Sequence, residues 1–364
     1  MAVPVQIPAA TVSLMERVTD QLASFVEDHA RALTEIHPDL RLLADAARSS
    51  VLNGGKRLRP SFAYWGWRSV QLDGADGERW LIGAASSLEL LHACALVHDD
   101  VMDSSDTRRG QPSAHRRFAS AHRDHGWPGS SRNFGTAGAI LLGDLLLSWA
   151  EELFTASISR LPEDRAAVAQ REFGLMRTEV VAGQFLDVLA QTRGEFHPSE
   201  ALRVIEFKTS KYTVERPLLL GAVAGGATAD IQRALGAYGL CLGEAFQLRD
   251  DLLGVFGDPS ETGKPAGDDL REGKRTLLVA LAAQQADPEQ RAALTSGIGN
   301  PDLTDEGVER LRAILTETGA RDAIEKRISD KAAAAADSLA LTTMQPEALR
   351  ALLDLAHAAA HRTF

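Results

Sequence analysis

The sequence predicts a nearly all-α protein. It is 45% hydrophobic but only 5% aromatic. Runs such as Lys331-Ala332-Ala333-Ala334-Ala335-Ala336 favour helix. Apolar residues recur at intervals of three and four, with little sustained alternation of period two. The 364 residues are enough for one large domain or two ordinary ones. No internal repeat appears beyond two acidic helix ends, and no disordered linker. The reading is one domain over residues 1–364, with 1–10 a loose leader.

Charge and cysteine content narrow the function. A net charge of −11 disfavours nucleic acid as a partner. The cations gather in short groups, Lys56-Arg57-Leu58-Arg59 and Arg108-Arg109, which suits a small anionic ligand. Cys94 and Cys241 form neither a disulfide framework nor a metal spacing, and fit a reducing cytoplasm. Both read as small buried residues. No basic segment followed by an apolar core opens the chain. No uncharged apolar run reaches the length of about 18 residues that a membrane span requires.

In chain order, Thr11 is expected to cap a first helix carrying Leu14, Val18, Leu22 and Phe25. A second helix is expected over Leu40 to Leu52. Asn53-Gly54-Gly55 breaks it, and paired glycines let backbone N–H groups approach an anion. Lys56 and Arg59 point the same way if the chain turns helical at Pro60.

From Leu81 to Met102 the chain holds one Gly and no Pro, so it reads as one helix, with Leu88, Leu91, Ala95 and Met102 on a buried face. It ends in Asp99-Asp100-Val101-Met102-Asp103. Asp99 and Asp103 are four apart and share a face; Asp106 returns to that face if the helix continues. Like charges so placed repel by roughly 0.2–0.5 kcal/mol on an exposed helix, and more at the end of an apolar one unless a cation lies between them. Mg²⁺ takes carboxylate oxygens and leaves positions for phosphate. Arg108 and Arg109 follow directly, suited to clamp the phosphate's other oxygens.

Ser120 to Asn133 reads as a loop, with His115, His122 and His125 as surface histidines. Gly138 to Ala150 is apolar helix, whose lone acid Asp144 is expected to be buried and partnered. Thr178 to Ala190 is helical, with Gln184 and Asp187 on one face. Lys208, Thr209 and Lys211 follow, then Pro217 and Gly221 to Gly226, which mark a kinked or tightly packed region. Ile231 to Leu253 leads into Asp250 and Asp251. Gly263-Lys264 and Lys274-Arg275 lie downstream. From about Asp287 the chain reads as amphipathic helices that close the bundle or pack on a partner.

These motifs resemble the trans-isoprenyl diphosphate synthases, the polyprenyl synthetase family. The match rests on Gly54-Gly55-Lys56-Arg57-Leu58-Arg59-Pro60, His98-Asp99-Asp100-Val101-Met102-Asp103 with Arg108-Arg109-Gly110, Gly183-Gln184-Phe185-Leu186-Asp187, Lys208-Thr209, and Phe246-Gln247-Leu248-Arg249-Asp250-Asp251 with Gly263-Lys264. They stand in family order from residue 54 to about 276.

The resemblance implies an all-α bundle around a central cavity, usually a homodimer. It implies head-to-tail condensation of isopentenyl diphosphate with dimethylallyl, geranyl or farnesyl diphosphate, using several Mg²⁺ ions, three in number. By the same resemblance Asp99, Asp103 and Asp250 bind metal, with Asp100 and Asp251 in support. Arg108, Lys208, Thr209, Gln247 and Lys264 hold the allylic diphosphate. Gly55, Lys56, Arg59, His92 and Arg109 hold isopentenyl diphosphate.

One departure stands out: the family's second cluster reads Asp-Asp-x-x-Asp, and its last place here is Gly254, with Asp258 four residues further on. Product length is set by sterics ahead of Asp99. Family members making C15 carry bulky aromatics four or five residues before that aspartate, where this chain has Ala95 and Cys94. With Leu91 and Leu88 deeper as floor, the expectation is C20, geranylgeranyl diphosphate; C15 and C25 or longer stay open. A type I terpene cyclase and a non-catalytic partner subunit are the rival readings.

Overall fold

The computed structural model describes residues 9–71, 75–257, 267–300, 302–340 and 342–361. The described chain is all-α apart from one two-residue antiparallel ribbon, Thr107–Arg108 against Gln111–Pro112. It divides into two compact units. Among the described residues, one comprises 9–64 and 75–170; the other comprises 65–71 and those from 171 onward.

In the first of these, α1 (Ala9–Ile36) buries Leu14, Val18 and Leu22 as the spacing predicts, and the stripe continues through Val26 and Ala30. Each buried Leu or Val contributes roughly 1.5–3 kcal/mol by leaving water. Phe25 stands at the stripe's edge, stacked on His29. The helix starts before Thr11, which is therefore buried inside it and caps nothing. A 3₁₀ turn at Pro38–Leu40 leads into α2 (Arg41–Leu52), and α3 (Leu58–Arg68) starts after the glycine break.

The centre of this unit is α4 (Ala75–Met102) packed along α6 (Ser131–Ile158). Glycine allows the close approach. A Cβ on Gly83 would lie 2.0 Å from Ser157 Oγ, and one on Gly143 would lie 2.0 Å from His98 Nε2. Leu88 and Leu91 are buried, but Met102 is exposed, because the helix stops there and the chain turns at Ser104 with φ 56°. Arg79–Met102 is long and apolar enough to cross a bilayer; 78% of its most apolar window is buried inside the protein, as in a core helix.

Helix α5 (Ala114–Asp124) takes up the start of the stretch expected as loop. Its buried face, Ala114, Phe118, Ala119 and His122, is interleaved with charged residues, which hid the periodicity. His122 is accordingly not a surface histidine: its ring packs on Trp127 and Phe134, and its Nε2 lies 3.2 Å from Pro128 O. Asp144 also departs from expectation. It is exposed on α6 beside the exposed Ile140, Leu141 and Leu147, while Leu142, Gly143 and Leu146 take the inward face.

In the other unit, the part of α7 (Glu163–Arg193) from Arg171 on and α8 (Pro198–Val204) precede a π-helical stretch, Ile205–Glu215, which runs into α9 (Arg216–Gly225) and then α10 (Ala229–Phe256). The wide stretch fits because its neighbours lack side chains at the contacts. A Cβ on Gly183 of α7 would lie 2.4 Å from Lys208 N. On α10, Cβ atoms on Gly239 and Gly243 would lie 2.5 Å from Glu215 Cα and 2.4 Å from Ser210 Cα. Arg216 locks its far end, reaching Glu179 Oε2 at 2.7 Å and Glu172 Oε2 at 2.9 Å on α7.

Pro217 and the Gly-rich run after it are tightly packed: a Cβ on Gly225 would lie 2.7 Å from Val70 Cγ2. The tail forms α11 (Asp268–Glu272), α12 (Leu277–Gln285), α13 (Pro288–Gly297), α14 (Asp305–Glu317), α15 (Ala320–Leu339) and α16 (Pro346–His361). Buried Tyr238 of α10 donates its hydroxyl to Leu352 O of α16 at 2.6 Å, so the tail closes around α10.

Candidate active site

The first aspartate cluster completes α4. The Asp103 N–H donates to Asp99 O at 2.8 Å, so the last helical turn carries both side chains on one face. Asp106 does not return to that face, because Ser104 turns the chain away; it pairs with Arg116 instead. The two adjacent aspartates differ. Asp100 is buried and accepts hydrogen bonds from Arg108 Nε, at 2.8 Å, and from Nη2. Burial pushes its carboxyl up, against the pull of Arg108. Asp99 is more open, with Oδ2 3.7 Å from Arg108 Nη2. Asp100 therefore steadies the guanidinium that stands beside Asp99.

Arg109 turns back onto the glycine loop. Its Nη1 donates to Asn53 O at 2.8 Å and Gly54 O at 2.9 Å. Gly55 has φ 125°, which favours glycine, and a Cβ there would lie 3.2 Å from Arg109 Nη2, close enough to press on that guanidinium. Arg57 and Arg109 hold φ values of 48° and 54°, a region that costs side-chain-bearing residues of order 1–3 kcal/mol each. Arg57 is buried and bound to Glu89 of α4. Arg59 is buried at the start of α3, and Lys56 is exposed. Desolvation, then the charges of Arg59, Arg109, Arg108 and Arg57, hold the His92 imidazolium well below its ordinary range, so the ring is neutral at pH 7.

At about 100° per residue, His92, Ala95, Asp99 and Asp103 lie within roughly 40° of one line along α4. Leu88 continues that line and is fully buried; Leu91 is buried about 80° round. Cys94 is about 140° from Asp99. It is buried, its Sγ is 3.9 Å from His98 Nδ1, and burial pushes its thiol up to about 12. Ala95 is half-buried.

The other unit carries the second cluster. Lys208 Nζ, on the π-helical stretch, donates to Asp187 Oδ2 of α7 at 2.7 Å. Thr209 Oγ1 donates to Gln247 Oε1 at 2.6 Å, and Gln247 Nε2 donates to Asp251 Oδ1 at 2.8 Å. Asp250 is exposed and Asp251 buried. Burial pushes the Asp251 carboxyl up to about 7; Gln247 opposes this, and Asp269 and Asp250 add to it.

A Cβ on Gly254 would lie 1.8 Å from Asp269 Oδ2. Asp269 in turn receives Lys274 Nζ at 2.6 Å. Although burial works against its charge, Asp269 and Glu272 hold Lys274 protonated. Asp258, Gly263 and Lys264 lie outside the described residues.

The sequence assigns no role to Glu89, Asp269 or Lys274. Glu89 had a usable signal, a lone acid in the apolar run Leu88 to Leu91. The same signal at Asp144 misleads, because the structure exposes that side chain. Among the described residues no three His, Cys, Asp or Glu side chains form a metal cage. Mg²⁺ needs none, since it binds through one or two carboxylates plus water and substrate phosphate. Asp99 with Asp103, and Asp250, are donor sets of that kind.

The polyprenyl synthetase family model matches residues 40–315. The chain belongs to the polyprenyl synthetase family. Members of this family are Mg²⁺-dependent trans-prenyltransferases, and this polyprenyl synthetase is a trans-prenyl diphosphate synthase. It is 32% identical over 334 residues to a geranylfarnesyl diphosphate synthase of Aeropyrum pernix, covering 90% of this chain and 97% of the relative. It is 31% identical over 340 residues to the octaprenyl diphosphate synthase of Escherichia coli, covering 92% and 94%. Among solved structures it resembles a geranylgeranyl pyrophosphate synthase from Corynebacterium glutamicum, complexed with isoprenyl diphosphate and magnesium. There the TM-score is 0.91 with 39% identity, covering 96% of this chain and 98% of that one.

Proposed function

We propose that this polyprenyl synthetase condenses isopentenyl diphosphate head-to-tail with dimethylallyl, geranyl and farnesyl diphosphates, and releases geranylgeranyl diphosphate, C20. The observation that carries this is the division of labour along one face of α4. His92, under the positive charge of Arg59 and Arg109, supports reading the start of this face as the place of a metal-free diphosphate. Asp99 and Asp103, two to three turns on, mark a place for a diphosphate that arrives with metal. Two substrates of like charge need two sites of unlike chemistry.

In this reading Asp99, Asp103 and Asp250 hold Mg²⁺, three ions in all, with Asp100 and Asp251 supporting. Bound Mg²⁺ supplies positive charge that draws off the leaving diphosphate. Arg108, Lys208, Thr209, Gln247 and Lys264 orient the allylic diphosphate and take up charge as its C–O bond breaks, both electrons going to oxygen. Gly55, Lys56, Arg59, His92 and Arg109 hold isopentenyl diphosphate so that its double bond meets the allylic carbon. A C–C bond forms, and the adjacent C–H proton leaves to the departing diphosphate. No protein nucleophile takes part, and apolar walls exclude water from the cation.

Ala95 and the buried Leu88 support C20, with C15 and C25 or longer as alternatives. The relatives span geranylgeranyl, geranylfarnesyl and octaprenyl products. The protein is proposed to act in the cytoplasm, as a single catalytic domain and as a homodimer. The exposed stripe of Ile140, Leu141 and Leu147 on α6 is offered as the face a second copy covers. The deciding experiment incubates purified protein with Mg²⁺, isopentenyl diphosphate and each allylic diphosphate, then chromatographs the dephosphorylated products. A dominant C20 alcohol is expected. A C15 or C25-plus product discards the floor and keeps the reaction; no product with any primer discards the reaction.

A further inference from the structure

We propose that the buried Glu89–Arg57 pair is a positioning device for isopentenyl diphosphate, holding the Gly54-Gly55-Lys56 loop in its binding shape. This rests on the reading of that loop as the isopentenyl diphosphate site. Glu89 lies on α4 three residues before His92 and is 4% exposed. Its Oε2 accepts from Arg57 Nη1 at 2.6 Å. Its Oε1 accepts no hydrogen bond among the described residues, so Arg57 is its hold on the fold.

Arg57 gathers three elements. Its Nη2 donates to Val51 O in the last turn of α2 at 3.1 Å. Its carbonyl accepts from Ser61 N at 3.1 Å and Ser61 Oγ at 2.9 Å in the first turn of α3. Its guanidinium reaches α4 through Glu89. The residue between these anchors and Gly55 is Lys56. Arg57 itself is 7% exposed and held at φ 48°, so it is turned into the protein rather than toward a ligand. A buried ion pair adds little net stability, because desolvation offsets most of the attraction. What this pair fixes is the path of the loop and the direction of Lys56.

Electrostatics alone makes the opposite forecast. Glu89 is a negative charge acting on Arg109. Removing it makes the pocket more cationic and should tighten a diphosphate. Positioning makes removal weaken the diphosphate, so the sign of the change decides between the two.

The test uses Glu89→Gln, which keeps the shape and drops the charge, and the apolar double variant Arg57→Met with Glu89→Leu. Isopentenyl diphosphate binding is measured by calorimetry, alongside steady-state KM for both substrates and the thermal midpoint. We expect isopentenyl diphosphate affinity to fall roughly tenfold in both variants, as for a lost charge-assisted hydrogen bond. The allylic KM should stay within about twofold, and the double variant should unfold near the wild-type temperature.

Unchanged or tighter isopentenyl diphosphate binding in either folded variant overturns the proposal. So does an equal rise in both KM values, or failure of both variants to fold; each would mark a purely structural pair. Lys56→Ala separates this from the parent reading. If wild type and Lys56→Ala bind isopentenyl diphosphate alike, the site itself is misassigned. If they differ while Glu89→Gln matches wild type, only the positioning role falls.

Discussion

Gly254 and Asp269 share one space: a Cβ on the glycine would sit 1.8 Å from the Asp269 Oδ2, which packs there while its other oxygen holds Lys274. The place where the family has a third aspartate is thus a place this protein fills from the next described helix. Restoring that aspartate should not improve the enzyme. Gly254→Asp is expected to displace Asp269 and lower stability by about 1–3 kcal/mol, a fall of several degrees in Tm. Mg²⁺ should stabilise the variant no more than wild type. A higher Tm, or a larger Mg²⁺-induced rise in it, contradicts this.

Gly243 bears on Lys208 and Thr209 from below. Its missing Cβ would lie 2.4 Å from Ser210 Cα, a backbone atom that cannot swing aside. Gly243→Ala should therefore push on the π-helical stretch and cost about 1–3 kcal/mol. The allylic KM should rise several-fold as the Thr209–Gln247–Asp251 chain is strained, with the isopentenyl diphosphate KM little changed. Equal rises in both would detach the stretch from the allylic substrate.

The two small residues ahead of Asp99 are not equivalent. Ala95 lies near the Asp99 face and keeps some exposure, whereas Cys94 is buried beside His98. Ala95→Phe is expected to shorten the product by at least one C5 unit at near-normal Tm. Cys94→Phe should instead cost stability through overpacking, about 1–3 kcal/mol. Product chromatography and thermal unfolding of both variants check this; a shorter product from Cys94→Phe alone would put the floor on the other side of the helix.

His92 makes the protein acid-sensitive in a calculable direction. Its folded pKa is depressed by desolvation and by Arg59, Arg109, Arg108 and Arg57, while in the unfolded chain it titrates near 6.5. Below about pH 6.5 the unfolded state binds the extra proton, so stability falls as pH falls, by up to about 1.4 kcal/mol per pH unit. Asp251, raised to about 7, works the other way between its unfolded and folded values. The informative quantity is the difference between wild type and His92→Gln, whose Tm should fall less steeply from pH 6.5 to 5. Parallel curves would mean that His92 is already protonated in the fold.

The fold class and the stripe Leu14–Val18–Leu22 were legible because helical periodicity survives in the residues themselves. The aspartates, Lys56, Arg59, Arg108 and Arg109 were legible because chemistry restricts their types. What the sequence hid depended on partners far along the chain. That Glu89 is the buried acid and Asp144 the exposed one follows from which side of α4 and α6 faces the core, and both have apolar neighbours in sequence. Gly254 read as a loss because Asp269 is fifteen residues away. The π-helical stretch left no local mark, since its cause lies in Gly183, Gly239 and Gly243 on other helices.

That stretch also bears on how lengths are compared. Eleven residues in wide turns advance the chain about as many turns as nine in an α-helix. A relative two residues shorter at this point can keep every helix and both flanking contacts, and an alignment will still open a gap beside Lys208 and Thr209. Removing one residue here is the more disruptive change: it rotates everything on one side by about 80° and parts Lys208 from Asp187 or Thr209 from Gln247. In this segment, counting residues misjudges kinship, and counting turns does not.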